Sequence, residues 1–181
     1  MNSYEPCHAS LGQTSVESAQ LGAAAAEKSE AAAFRAALET SLIFSHLPAD
    51  ERDWLLEAGE VQRLEAGETV FHRGDPATHV FCVLTGSVGI ETSGSGVVLN
   101  RLGSGEMFGE IGVIEGRSRT ATVRAAEACA LLAIDQSDFL GLLVSHPGIG
   151  FRLVATLARR LSHLTDFVAN FREAAVKVGV A

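Results

Sequence analysis

Positive charge is scarce in this chain. Its 181 residues carry 14 Lys and Arg against 22 Asp and Glu, a formal net charge of -8 at pH 7 and a pI near 5.2. A nucleic-acid partner calls for a basic face, so no nucleic-acid partner is expected. Long apolar runs are missing too: nothing approaches the roughly 18 consecutive apolar residues of a membrane span, and no membrane partner is expected. Met1 to Ser10 has no positive stretch followed by an apolar block, so no secretory signal is read and the expected compartment is the cytoplasm. Cysteine is limited to Cys7, Cys82 and Cys129, without Cys-x-x-Cys spacing. Such a set suits buried or incidental thiols better than a disulfide framework or a zinc site. Cys82 alternates with apolar neighbours and reads as core. His72 and His79 flank a turn, but no cysteine or carboxylate spacing joins them into a metal site, and none is expected. G-x-x-x-x-G-K, H-E-x-x-H and G-x-S-x-G are all absent, no nucleophile–base pair stands out, and Gly103-Ser104-Gly105 before Gly109 misses the dinucleotide spacing. The chain is therefore not expected to be an enzyme or to need a cofactor.

What is present falls into four parts. Residues 1–20 are polar, contain Pro6 and lack an apolar period, and are expected to be a disordered tail. Residues 21–58 read as a helical segment. Its first part is Ala-rich and strongly helix-forming, with Phe34 and Leu38 one turn apart as the anchoring face. Asp50 to Ala58 is a second short helix carrying Trp54, Leu55 and Leu56, stopped at Gly59. From residue 59 to 134 the pattern changes to short strands punctuated by glycine: Val61–Leu64, Thr69–His72, Val80–Leu84, Ser87–Glu91, Val97–Leu102, Thr120–Ala126 and Ala130–Ile134. About eight short strands of this kind predict an α+β fold around an antiparallel β-roll, or jelly roll. Residues 135–176 close the chain with two helices. Asp135 caps the first, His146-Pro147 breaks it, and Pro147 opens a long second one.

The stretch from residue 103 to 123 concentrates the chemistry. Gly109 lets backbone N–H groups approach a ligand, and successive N–H groups at a helix start make a concave anion site. Glu110 is a strong acceptor for sugar hydroxyls, and Arg119 offers a planar fork to two phosphate oxygens. Together they ask for a ligand with hydroxyl and phosphate side by side.

The run F-G-E-I-G-V-I-E-G-R-S-R-T-A-T-V-R-A resembles the phosphate-binding cassette of cyclic nucleotide-binding domains, as in catabolite activator proteins and the regulatory subunits of cyclic-AMP-dependent protein kinases. G-E-T-V-F-H-R-G-D-P and F-C-V-L-T-G-S-V-G-I resemble other phrases of that family, so the likeness covers about residues 38–172. It departs at Ser118, where many members have proline. The resemblance implies a cyclic mononucleotide ligand, cAMP or cGMP. Glu110 would take the ribose 2′-hydroxyl, Arg119 and the amides around Gly109 to Ile111 the cyclic phosphate, and Thr120 would lie near the base, with Phe108 and Ala121 completing the ligand-binding set. One threonine hydroxyl is worth ~1 kcal/mol between the two bases, too little to rank them. A buried Glu110–Arg119 salt bridge is the bland alternative.

The long last helix carries Val154, Leu157, Leu161, Leu164, Val168, Phe171 and Ala175 at 3-4 spacing, a heptad seam. It suits a homodimer through helix 148–175 or a stripe packed on the roll. If the catabolite-activator arrangement carries over, Leu164 and Thr165 approach the base. Arg159 and Arg160 lie off this seam and read as solvated. Only nine residues follow Arg172, too few for the helix-turn-helix of a catabolite activator. The expected function is a stand-alone cyclic nucleotide receptor that changes shape and signals to an unidentified effector protein. The alternatives are a ligand-free interaction module and a redox sensor on the same fold.

Overall fold

The computed structural model of the chain describes residues 13–91 and 97–178, with side chains described over 25–91, 97–162 and at Thr165. Helix α1 spans Gln13–Thr40, so it begins well before the expected Leu21. The residues ahead of Leu21 lack an apolar period but hold Ala, Glu and Gln, good helix formers that extend a helix without packing. Residues 1–12 of the expected tail lie outside the described residues. Phe34 and Leu38 are buried as expected, beside Ala37. A single 3-10 turn, Phe44–His46, leads to helix α2, Ala49–Ala58, of which Leu55 is buried while Trp54 is exposed.

Eight strands follow: β1 Glu60–Leu64, β2 Thr69–Phe71, β3 His79–Thr85, β4 Ser87–Glu91, β5 Val98–Gly103, β6 Met107–Phe108, β7 Thr122–Ala125 and β8 Cys129–Asp135. They form two antiparallel four-stranded sheets, ordered β1-β8-β3-β6 and β2-β7-β4-β5, the α+β roll expected. Helix α3, Glu110–Glu115, interrupts the strands after β6. β7 starts at Thr122 rather than Thr120, which leaves Thr120 and Ala121 in the preceding loop.

The sheet β1-β8-β3-β6 is covered on both faces. Val80, Cys82 and Leu84 of β3 and Ala130, Leu132 and Ile134 of β8 face one core cluster, shared with α1, α2, α4 and α5. Phe81 and Val83, with Leu131 and Ala133, face a second cluster inside the roll. A strand buried on both sides needs apolar residues at every position, which is why these two runs show little alternation. Cys82 is fully buried there, and desolvation pushes its thiol up to about 12.

Helix α4, Gln136–Ser145, starts at Asp135, whose carboxylate accepts from the Ser137 amide. Helix α5, Pro147–Val178, leaves it through a 109° bend. On α5, Ile149 and Leu153 are buried and Leu157 is half-buried, whereas Phe151, Val154 and Leu161 are exposed. The face against the roll is therefore Ile149, Leu153, Leu157 and Arg160, sharing only Leu157 with the expected seam. The side chains of Leu164, Val168, Phe171 and Ala175 lie outside the described ones. Among the described residues no single helix is long and apolar enough to cross a membrane.

Candidate functional site

A cavity of about 650 Å³ opens between the sheet β2-β7-β4-β5, helix α3 and the middle of α5. Its position follows from local chemistry. Gly109 closes β6 with φ of +79°, a left-handed conformation in which a side chain is strained, and caps α3. A β-carbon there would lie 2.7 Å from Nη1 of Arg119, so the absence of a side chain lets the arginine pass. The first turn of α3 lines the cavity with amides that have no partner inside the helix.

Arg119 is held from both ends. Its backbone N–H donates to the Asp75 carbonyl at 2.9 Å, its carbonyl accepts from the Gly74 amide at 2.9 Å, and Nη1 donates to the Gly109 carbonyl at 2.8 Å. The guanidinium stacks over the Phe71 ring at 4.2 Å from the centroid, with Phe81 at 5.4 Å. Phe81 in turn stacks on Phe108 at 5.3 Å. Although only 5 % of Arg119 is exposed, its Nε has no hydrogen-bond partner, and no ion pair reaches it among the described residues. Burial lowers its pKa, against the raising influence of Asp75 and Glu110. This is a desolvated cation with donor capacity to spare.

Glu110, 2 % exposed, does not pair with Arg119. Its Oε1 accepts from Nη1 of Arg160 at 3.0 Å, while Nη2 of Arg160 donates to the Met107 carbonyl. Desolvation raises the Glu110 carboxyl, and Arg160 is the foremost influence opposing that rise. The expectation that Arg160 is solvated is thus corrected. It lies on the inner face of α5 and ties that helix to the first residue of α3. The Glu110–Arg119 salt bridge is not formed.

Phe108, Gly109, Glu110, Ile111, Arg119, Thr120 and Ala121 all line this one cavity, as the cassette reading expected. Thr165 does not reach it: its side chain is exposed and its hydroxyl donates to the Leu161 carbonyl at 3.0 Å. The Leu164 side chain lies outside the described ones. From α5 the cavity receives Leu157, Arg160 and Leu161 instead. Phe71, Ile90, Leu99, Asn100 and Val123 were also missed as lining residues. All five lie on strands expected from the sequence, but only pairing decides which face the cavity.

Residues 61–146 match the family model of the cyclic nucleotide-binding domain. The chain is 32% identical over 122 residues to the cAMP-activated global transcriptional regulator CRP of Escherichia coli O6:H1, covering 65% of this chain and 58% of that protein. Among solved structures, Thermus thermophilus catabolite activator protein aligns with a TM-score of 0.62 at 30% identity, over 73% of this chain and 63% of that one. The N-terminal domain of a transcriptional regulator from Streptomyces coelicolor A3(2) aligns with a TM-score of 0.54 at 30% identity, over 72% of this chain and 95% of that domain. The chain spans less than two thirds of the Escherichia coli and Thermus proteins. With the roll, the Gly109–Glu110–Arg119 cassette and these likenesses in place, the chain belongs to the cyclic nucleotide-binding domain family.

Proposed function

We propose that the cavity binds a purine 3′,5′-cyclic mononucleotide, cAMP or cGMP, and that the chain is a regulatory receptor rather than a catalyst. The observation that carries this reading is Arg119: a buried guanidinium, stacked on Phe71, with an unpartnered Nε and no carboxylate in ion-pair contact among the described residues. A cyclic phosphate supplies the missing anion, and a bidentate fork suits its two free oxygens. Next to it, Glu110, which lines the same cavity, accepts from the ribose 2′-hydroxyl in this reading. Phe108 and Ala121 wall the pocket, and Leu157 and Leu161 cover the base. The name of the Escherichia coli relative, a cAMP-activated regulator, supports the ligand class. A redox sensor gains nothing from the structure, since Cys82 and Cys129 are buried and burial raises both thiols.

The output follows from Arg160. A ligand hydroxyl on Glu110 must share or replace the Arg160 contact, so occupancy changes what holds α5. The moved helix then presents an altered surface to an effector protein. A homodimer along α5 belongs to the same reading, because Phe151 and Val154 are exposed apolar residues on the side of the helix turned away from the cavity.

Calorimetric titration with cAMP and cGMP tests the binding, and hydrogen exchange tests the relay. Saturable binding with altered protection across residues 136–162 is the expected outcome. Absence of heat with both ligands refutes the receptor reading, and binding that leaves α4 and α5 unchanged refutes the relay. Sedimentation of a monomer at micromolar concentration removes the dimer.

A further inference from the structure

Four residues that line the cavity form one row across the sheet β2-β7-β4-β5. Phe71 pairs with Val123, Val123 with Ile90, and Ile90 with Asn100. Directly paired residues share a face, so the row is a floor whose side chains all point into the cavity. At one end Arg119 stacks on Phe71. At the other end is Asn100, three strand spacings away, roughly 14 Å. The two residues between are apolar, and the helix side adds Ile111, Leu157 and Leu161. Of the polar side chains lining the cavity, Glu110, Arg119, Thr120 and Arg160 belong to the cassette or the helix that clasps it, leaving Asn100 alone at the far end. Its amide has no hydrogen-bond partner among the described residues.

A mononucleotide lying on this floor with its phosphate on Arg119 extends its base toward Asn100. A primary amide presents a carbonyl acceptor and an N–H₂ donor side by side. That pair complements the N6 amine and N7 of adenine, whereas guanine shows acceptors at both O6 and N7 and satisfies only the donor half. We propose that Asn100 is the specificity-determining residue of the cavity, reading the N6/N7 edge of adenine and selecting cAMP over cGMP. This rests on the cyclic nucleotide reading above and adds the choice of base to it.

Titration of the wild type with cAMP, cGMP, cyclic IMP and 7-deaza-cAMP tests it, beside Asn100→Ala and Asn100→Leu. Cyclic IMP keeps N7 but replaces the N6 amine by a carbonyl, and the deaza analogue removes N7 alone. The wild type is expected to bind cAMP about five- to tenfold more tightly than either analogue, in line with one hydrogen bond gained and one polar group left unpaired. In both variants the four affinities should converge, chiefly through weaker cAMP binding. Asn100 is exposed on an outer strand, and leucine keeps that strand's packing, so thermal melts should confirm folded proteins. A cAMP preference that survives in folded Asn100→Ala and Asn100→Leu, or a wild type that prefers cGMP, overturns the assignment and leaves the receptor reading standing. If no cyclic nucleotide binds the wild type, the receptor reading itself falls and this one with it.

Discussion

Arg119→Ala is expected to lower cyclic nucleotide affinity roughly 100- to 1000-fold, about 3 to 4 kcal/mol, through loss of two charge-assisted hydrogen bonds in a desolvated site. Calorimetry or competition with a fluorescent cyclic nucleotide reads the change. The same variant should cost the unliganded protein little. In the free state the guanidinium is buried and lacks a carboxylate, its Nε unpartnered and its pKa lowered by desolvation. Its compensation is one bond to the Gly109 carbonyl and the stack on Phe71. A residue kept for folding would show the reverse, with melting temperature falling and affinity preserved. Arg119→Lys retains the charge but not the planar fork, so its affinity should lie between the two. Retention of wild-type affinity in Arg119→Ala would exclude this residue as the phosphate anchor.

Arg160→Ala is expected to destabilise the protein by about 2 to 4 kcal/mol at neutral pH, toward the lower value because Arg160 is partly exposed. The cause is Glu110, which is left as an uncompensated carboxylate at 2 % exposure. The pH dependence has a definite sign. Burial raises the Glu110 carboxyl, so between its unfolded value and that raised value the folded state holds the extra proton and stability declines as pH rises. Without Arg160 the carboxyl rises further and the window extends upward. The deficit of the variant should therefore shrink as pH is lowered from about 8 to 5. Adding Glu110→Gln should remove both the deficit and its slope. Urea melts across that range measure it. Parallel stability curves for wild type and Arg160→Ala would mean that Glu110 does not depend on this contact.

The cassette was legible because its candidate ligand groups lie on one continuous segment. Gly109, Glu110 and Arg119 are joined by a short helix and a loop, and no long-range pairing is needed to bring them together. The core strands were legible for a related reason: β3 and β8 are apolar on both faces and announce themselves by composition. Strand β6 was missed because Met107–Phe108 is too short for any period to appear. Arg160 was missed because two seams on α5 share Leu157. Apolar spacing favours Val154-Leu157-Leu161, while the roll takes Ile149-Leu153-Leu157 and hence Arg160. A charged residue next to an apolar period looks like solvent-facing surface until the partner, here a buried glutamate, is known. Asn100 was hidden by register. A bulge lies between Ile90 and Glu91, so counting alternate positions from the turn does not identify its cross-strand neighbour.

Strand β5 is the outermost of its sheet, and although its Leu102 joins the core cluster inside the roll, the strand is exposed from Val98 to Arg101. Asn100 is exposed there, whereas Glu110 and Arg119 are enclosed by Phe71, Phe81, Phe108 and the start of α3. Substitution of Asn100 therefore disturbs little packing, while substitution of Glu110 breaks its buried contact with Arg160. On the proposed reading, the capacity to hold a sugar phosphate and the choice of base sit on parts of the domain with different tolerance to change. A lineage carrying this roll can, on that reading, exchange one nucleotide messenger for another by single replacements on β5 while the Glu110–Arg160 contact stays intact.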